Sequence, residues 1–189
     1  NPKDLIGLTR VKFIGELGID QGGLTSEYFS LITKEIFNPN FGLFLKNENN
    51  CYHPNPLSYI NENYIQYFKL AGEIIALELL NNQFVDAHFS MAFYRQILHQ
   101  KIKIKDLEDF DKSLYDSLQA ILDADDVSTF GLVFEINDDQ FGKTVSVDLR
   151  ENGSKVDVIN DNRIEYVSLY ANYKLRKSII DQVTAFCDA

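Results

Sequence analysis

Cys51 and His53 are the only thiol and imidazole close together in the sequence, and a thiol hydrolase would need such a nucleophile and base in contact. A direct ion pair between the two is not favoured on an extended segment, and catalysis there is not expected. Cys187 precedes Asp188, whose charge opposes thiolate formation, so it is expected to be inert. His88 and His99 lack metal-ligand spacing, and Asp123, Asp125 and Asp126 lack the spacing and terminal Glu of a calcium loop. Gly18, Gly22 and Gly23 spell neither Gly-x-Gly-x-x-Gly nor a Gly-Lys-Ser/Thr phosphate cradle, and a turn is the better reading. No catalytic set, metal or cofactor is expected, and the acidic residues read as a solvated face.

Surface and core must then carry the function. Of 189 residues, 45% are hydrophobic, enough for a sizeable core without metals or disulfides. Eighteen Lys and Arg against 28 Asp and Glu give a formal charge of -10, which argues against phosphate-backbone binding and hence against nucleic acid. No apolar run reaches the roughly 18 to 20 residues that cross a bilayer. The opening Asn1-Pro2-Lys3-Asp4 lacks the apolar centre of a signal peptide. A soluble chain in a reducing compartment is expected. Ten Tyr and fourteen Phe supply more ring surface than the core obviously needs, so some rings are expected to face a partner.

The elements that must position such a surface follow from spacing. Val11 to Glu16 reads as a short strand, followed by a glycine loop and a helix from Thr25, whose hydroxyl is expected to cap it, to Asn38-Pro39-Asn40. Phe41 to Leu57 reads as an irregular connection. A long packing helix opens at Asn61 or Asn63 with Phe68, Ala71, Ile75 and Leu79 on its stripe, and Gly72 and Ala76 leave room for another backbone. Asn81-Asn82-Gln83 ends it, and a third helix runs through Phe89, Phe93 and Ile97 to about His99. Leu114 to Leu122 forms a short amphipathic helix. Three strands are expected around Phe130 to Ile136, Val145 to Leu149, and Val156 with Val158, joined by turns at Asn137-Asp138-Asp139 and Asn152-Gly153. A final long helix begins at Asn160 or Asp161 and returns to the first bundle. The expected fold is α+β and mainly helical: a larger helical subdomain, residues 1–102 and 172–189, and a smaller helix-plus-antiparallel-strand subdomain, residues 103–171.

The smaller subdomain has more apolar side chains than about seventy residues can cover. Leu114, Leu118 and Ile121 on its helix, Phe130 and Leu132 on its first strand, and Tyr166 and Tyr170 on the last helix are candidates to line a hydrophobic groove, the other reading of the same positions being simple core packing.

Several ordered motifs carry a resemblance over nearly the whole chain, from about Val11 to Phe186. They are Lys12-Phe13 with Gly15-Glu16, Gly18 to Gly23, Glu27-Tyr28-Phe29, Phe37-Asn38-Pro39 with Gly42-Leu43-Phe44, and Tyr67 to Gly72. They continue with Ser117-Leu118, Ile121-Leu122, Phe141-Gly142, Asp148-Leu149 with Asn152-Gly153, and Asn162 with Glu165-Tyr166-Val167. In this order they resemble the N-terminal lobe of the HECT-type ubiquitin ligases. The resemblance implies that the smaller subdomain docks the ubiquitin-conjugating enzyme, with Leu114, Ser117, Leu118, Ile121, Phe130, Leu132, Tyr166 and Tyr170 at the family's contact positions. Such a groove would accept an apolar loop side chain, with the tyrosine hydroxyls wet at its rim, so Tyr166→Ala or Ile121→Ala is expected to weaken docking by about 1 to 3 kcal/mol with the fold intact.

In that family the nucleophilic cysteine lies in a separate C-terminal lobe, and the resemblance implies that Cys187 is not that nucleophile. The fragment is expected to recruit the loaded enzyme without forming the ubiquitin thioester alone, substrates being held by parts not present. Phe41 matches one position of a ubiquitin exosite found in some members, whereas Lys46 stands where another ring would be. A cytoplasmic location, extending to the nucleus, is implied. The alternatives are a stand-alone scaffold that binds ubiquitin or a partner without ligase activity, and the thiol hydrolase built on Cys51 and His53.

Overall fold

The computed structural model describes residues 11–15, 22–84 and 87–189. In chain order the described elements are α1 (Gly23–Ile36), β1 (Phe44–Lys46), β2 (Tyr52–Pro54), α2 (Tyr64–Leu80), α3 (Met91–Ile97), α4 (Asp106–Phe110), α5 (Lys112–Asp123), β3 (Glu135–Gln140), β4 (Lys143–Asp148), α6 (Arg163–Leu175) and α7 (Ile180–Cys187), with short 3-10 turns between some of them. The class is α+β and mainly helical, with two separate two-stranded antiparallel sheets. The chain divides into two compact units, Asn1–Phe89 with Asp181–Ala189, and Ser90–Ile180.

In the first unit, Gly22 rather than Thr25 stands at the start of α1, with a φ of 98° and no side-chain cap, and Thr25 is buried in the first turn. Residues 11–13 hold no regular element and a turn occupies 14–15, so the expected strand is not formed there; 16–21 lie outside the described residues. The connection read as irregular contains the β1–β2 hairpin, with Leu45 opposite His53. Its turn is held by the Asn47 side chain, whose Oδ1 accepts from the Cys51 amide at 2.8 Å and the Asn49 amide at 3.1 Å, an asparagine turn that composition alone disguises as loop. Many of the surplus rings fill this unit's own core. Phe37 packs on Phe44 at 4.8 Å between centroids, Phe44 on Phe68 at 5.1 Å, and Phe89 on Phe186 at 6.0 Å. Gly72 admits α7: a Cβ there would meet the Phe186 carbonyl oxygen at 2.1 Å.

In the second unit, Ser90 caps α3 by accepting the Phe93 amide at 3.3 Å. The buried Asp106 carboxylate pairs with Arg95 at 2.9 Å and accepts the Lys103 amide at 2.7 Å, fixing the entry to α4. Asp111 caps α5 through the Leu114 amide at 2.9 Å. Two strands pair here, not three: β3 and β4 run antiparallel from Glu135 opposite Asp148 to Gln140 opposite Lys143, while the Val156 to Val158 segment contributes one isolated bridge, Val133 with Asp157. Asn137, Asp138 and Asp139 lie inside β3 rather than in a turn. The strand tolerates them because Ser146 donates to Asn137 at 2.8 Å, and because Lys174 and Tyr173 on α6 both bond the Asp138 carboxylate. The turn is Phe141-Gly142, with φ values of 56° and 79°, the left-handed pair that suits a two-residue hairpin loop.

The last helix is interrupted. α6 stops at Leu175 because Gln96 Nε2 donates to the Leu175 carbonyl at 2.9 Å, while the Ile179 amide bonds Arg176 instead, leaving a 3-10 turn, Lys177–Ile179, before α7. Leu107, Leu118, Val127, Phe134, Val167 and Leu175 form the heart of this unit's core.

Candidate functional site

The amphipathic helix α5 places Leu114, Leu118 and Ile121 four and three residues apart, so all three lean toward one face. Leu118 and Ile121 are 1% and 8% exposed and belong to the unit's core, and Leu114 packs half-buried at its edge. Ser117 is on the exposed side, its hydroxyl bonded back to the Ser113 carbonyl at 2.9 Å.

From α6, Tyr166 is only 3% exposed and meets Phe134 edge-on at 5.5 Å, while the half-buried Tyr170 meets Tyr166 at 5.9 Å. Burial pushes the Tyr166 phenol up to about 12, with Tyr170 adding to the rise, and burial raises Tyr170 as well. Both phenols are neutral at physiological pH and supply hydrogen bonding and ring surface rather than acid-base chemistry.

Phe130 sits differently from its expected place in a strand. The turn Val127–Phe130 is a 3-10 helix capped by Asp126, which accepts the Ser128 amide at 3.0 Å, and it ends in the left-handed Gly131. The Ser128 hydroxyl and amide hold the Asp126 carboxyl below the usual carboxylate range. Asn160 ties this loop to the approach of α6. Its Oδ1 accepts the Val127 amide at 3.0 Å and its Nδ2 donates to the Asp125 carbonyl at 2.9 Å, while Arg163 bonds the Ala124 carbonyl. Phe130 is thereby presented 50% exposed, with Leu132 half-buried two residues on.

The eight residues singled out in the sequence therefore fall into two sets. Leu118, Ile121 and Tyr166 are core, whereas Leu114, Ser117, Phe130, Leu132 and Tyr170 keep accessible surface. This corrects the expectation that Tyr166 and Ile121 could be truncated without touching the fold: each opens a cavity, at about 2 to 5 kcal/mol for Ile to Ala and about 3 to 5 for an aromatic ring. The tyrosine hydroxyls are not both at a wet rim, because Tyr166 lies inside. Sequence reasoning missed Ile164, 70% exposed, and Ile159, 42% exposed, which flank the Asn160 tie. The available signal was that Ile164 stands between Arg163 and Glu165 on the polar side of α6.

On the first unit, Phe41 is partly exposed and meets Tyr67 edge-on at 4.9 Å, and Lys46 lies over the Tyr52 ring at 5.2 Å. Cys51 and His53 are both buried, with Cys51 Sγ donating to the Asn49 carbonyl at 3.7 Å, so neither is open to a substrate. Among the described residues no three His, Cys, Asp or Glu side chains converge to hold a metal ion, and no helix is long and apolar enough to cross a membrane.

In the second unit apolar side chains stand exposed beside a pinned loop, while Cys51 and His53 in the first unit are withdrawn from solvent. Residues 30–189 match the HECT-domain (ubiquitin-transferase) family, and the chain belongs to it. It is 40% identical over 185 residues to the E3 ubiquitin-protein ligase pub1 of Schizosaccharomyces pombe, covering 97% of this chain and 24% of that protein. It is 38% identical over 182 residues to the E3 ubiquitin-protein ligase TOM1-like of Neurospora crassa, covering 95% of this chain and 4% of that protein. Identity to the E3 ubiquitin-protein ligase RSP5 of Saccharomyces cerevisiae is 35% over 189 residues, covering 99% of this chain and 23% of that protein. The chain thus spans about a quarter or less of the length of these relatives.

Proposed function

We propose that this chain is the N-terminal lobe of a HECT-type ubiquitin ligase and that residues 103–171 dock the ubiquitin-conjugating enzyme carrying ubiquitin as a thioester. The observation that carries the docking site is Phe130: a large ring held half outside the core by a loop that Asp126 and Asn160 immobilise, so that its exposure is built in. Leu132, Tyr170, Leu114 and Ser117 supply the surrounding surface, while Leu118, Ile121 and Tyr166 support it from beneath. An apolar loop residue of the partner would bury against Phe130 and Leu132, the kind of small interface suited to a transient handover.

The transfer follows from thioester chemistry. A ligase cysteine thiolate attacks the ubiquitin thioester carbonyl, the conjugating enzyme's thiol leaves, and a substrate lysine amine later displaces the ligase thiol. This lobe contributes proximity and orientation. Neither of its own cysteines is the nucleophile: Cys51 is buried, and partial burial with the Asp188 charge raises the Cys187 thiol above its ordinary pKa, the opposite of activation. The edge-on Phe41–Tyr67 pair supports a second role, contact with ubiquitin on the first unit. Neither cysteine forms a disulfide, which suits a cytoplasmic or nuclear setting.

Calorimetric titration with a conjugating enzyme tests the docking site. Phe130→Ala should weaken binding by about 1 to 3 kcal/mol while the far-ultraviolet circular dichroism stays unchanged. An unaltered affinity would remove Phe130, and the site with it.

A further inference from the structure

A second place in the molecule asks for a ligand. Between α1 and α2 the first unit holds a cavity of about 660 Å³, and Glu78, 1% exposed, is part of its wall. One carboxylate oxygen of Glu78, Oε1, accepts the Thr33 hydroxyl at 2.5 Å. The other, Oε2, is buried and has no hydrogen-bond partner. A buried carboxylate with one orphaned oxygen is costly, and the native structures that keep one have a reason for it. Elsewhere on the wall Ser26 and Ser30 bring hydroxyls, Phe29, Phe37 and Tyr52 bring rings that suit a cation with an apolar stem, and the exposed Lys34 and Glu35 add one charge of each sign.

We propose that this cavity is a binding site for a primary alkylammonium group, whose head bonds Glu78 Oε2 and whose stem lies along the aromatic wall. The ammonium is favoured over a guanidinium on geometry. A guanidinium fork seeks both carboxylate oxygens in one plane, and Thr33 already holds Oε1, whereas a compact ammonium needs one carboxylate oxygen and scattered hydroxyls. Burial raises the Glu78 carboxyl above its ordinary value, against the lowering by Thr33, and a bound cation would favour its ionised form.

The test is an NMR titration of the isotope-labelled 189-residue chain with n-butylammonium at neutral pH, with n-butanol as the uncharged control. The proposal expects saturable shifts at Thr33 and Glu78, at least tenfold tighter for the ammonium than for the alcohol, and at least a tenfold loss in Glu78→Gln, which keeps an oxygen for Thr33. Equal affinity for alcohol and ammonium, shifts confined to other surfaces, or full binding by a folded Glu78→Gln would overturn it. The comparison of the two probes on the unmodified chain decides the matter even if the variant does not fold.

Discussion

His53 shows how far a side chain can move from its apparent chemistry. It is fully buried in β2, and desolvation lowers its pKa from 6.5 to about 3. The folded chain therefore leaves it neutral at pH values where the unfolded chain protonates it. Its contribution to stability is complete above about pH 6.5 and is lost as pH falls toward about 3, with a slope of up to about 1.4 kcal/mol per pH unit. Glu78 acts with the opposite sign, because its raised pKa makes the folded state bind the extra proton above 4.5, so its contribution falls as pH rises there. Urea melts between pH 4 and 7 should show a shallower acid limb in His53→Gln than in the unmodified chain, and parallel limbs would contradict the assignment. At the candidate site, Ile121→Ala and Tyr166→Ala should lower the urea midpoint itself, since both side chains fill the core, and a midpoint unchanged in either would place it outside.

The loop between α5 and β3, tied by Asn160 to the approach of α6, decides what the candidate site presents. Asn160→Ala removes the bonds to Val127 and Asp125, at about 1 to 2 kcal/mol for the pair, and should speed hydrogen exchange at the Val127 amide while leaving α5 protected. Exchange rates unchanged at Val127 would show that the loop is held by other means. This loop was also where the sequence misled. Phe130, Leu132, Phe134 and Ile136 alternate like a strand, but Asp126 and Gly131 build a capped 3-10 turn first, so the β3–β4 ladder starts only at Glu135. Period two is a property of the residues, whereas a turn needs two local hydrogen bonds that no spacing displays. The helices were legible because apolar stripes report burial directly: α2 and α5 lie where Phe68, Ala71 and Ile75, or Leu114, Leu118 and Ile121, place them. The break after Leu175 was invisible, because it depends on Gln96, far away in sequence. The candidate site was legible as a set of apolar positions, but not in which members face outward, since Tyr166 and Tyr170 are equivalent in the sequence and differ only in what packs over them.

For the whole molecule, family membership over residues 30–189 supplies the setting, and the two units supply different surfaces. On the proposed reading, a lobe that presents a thioester for attack by a thiolate needs rigidity at its docking face more than reactive groups. The polar ties around Phe130, the Asp111 cap on α5 and the Lys174–Asp138 pair all lie in the second unit and would supply that rigidity. The most direct measurement is an amide shift map of the labelled chain titrated with a ubiquitin-loaded conjugating enzyme whose thioester is replaced by a stable linkage. The docking reading predicts the largest shifts at Ser117, Phe130, Leu132, Ile164 and Tyr170. A map with no shifts there, or with shifts only among residues 22–84, would contradict it.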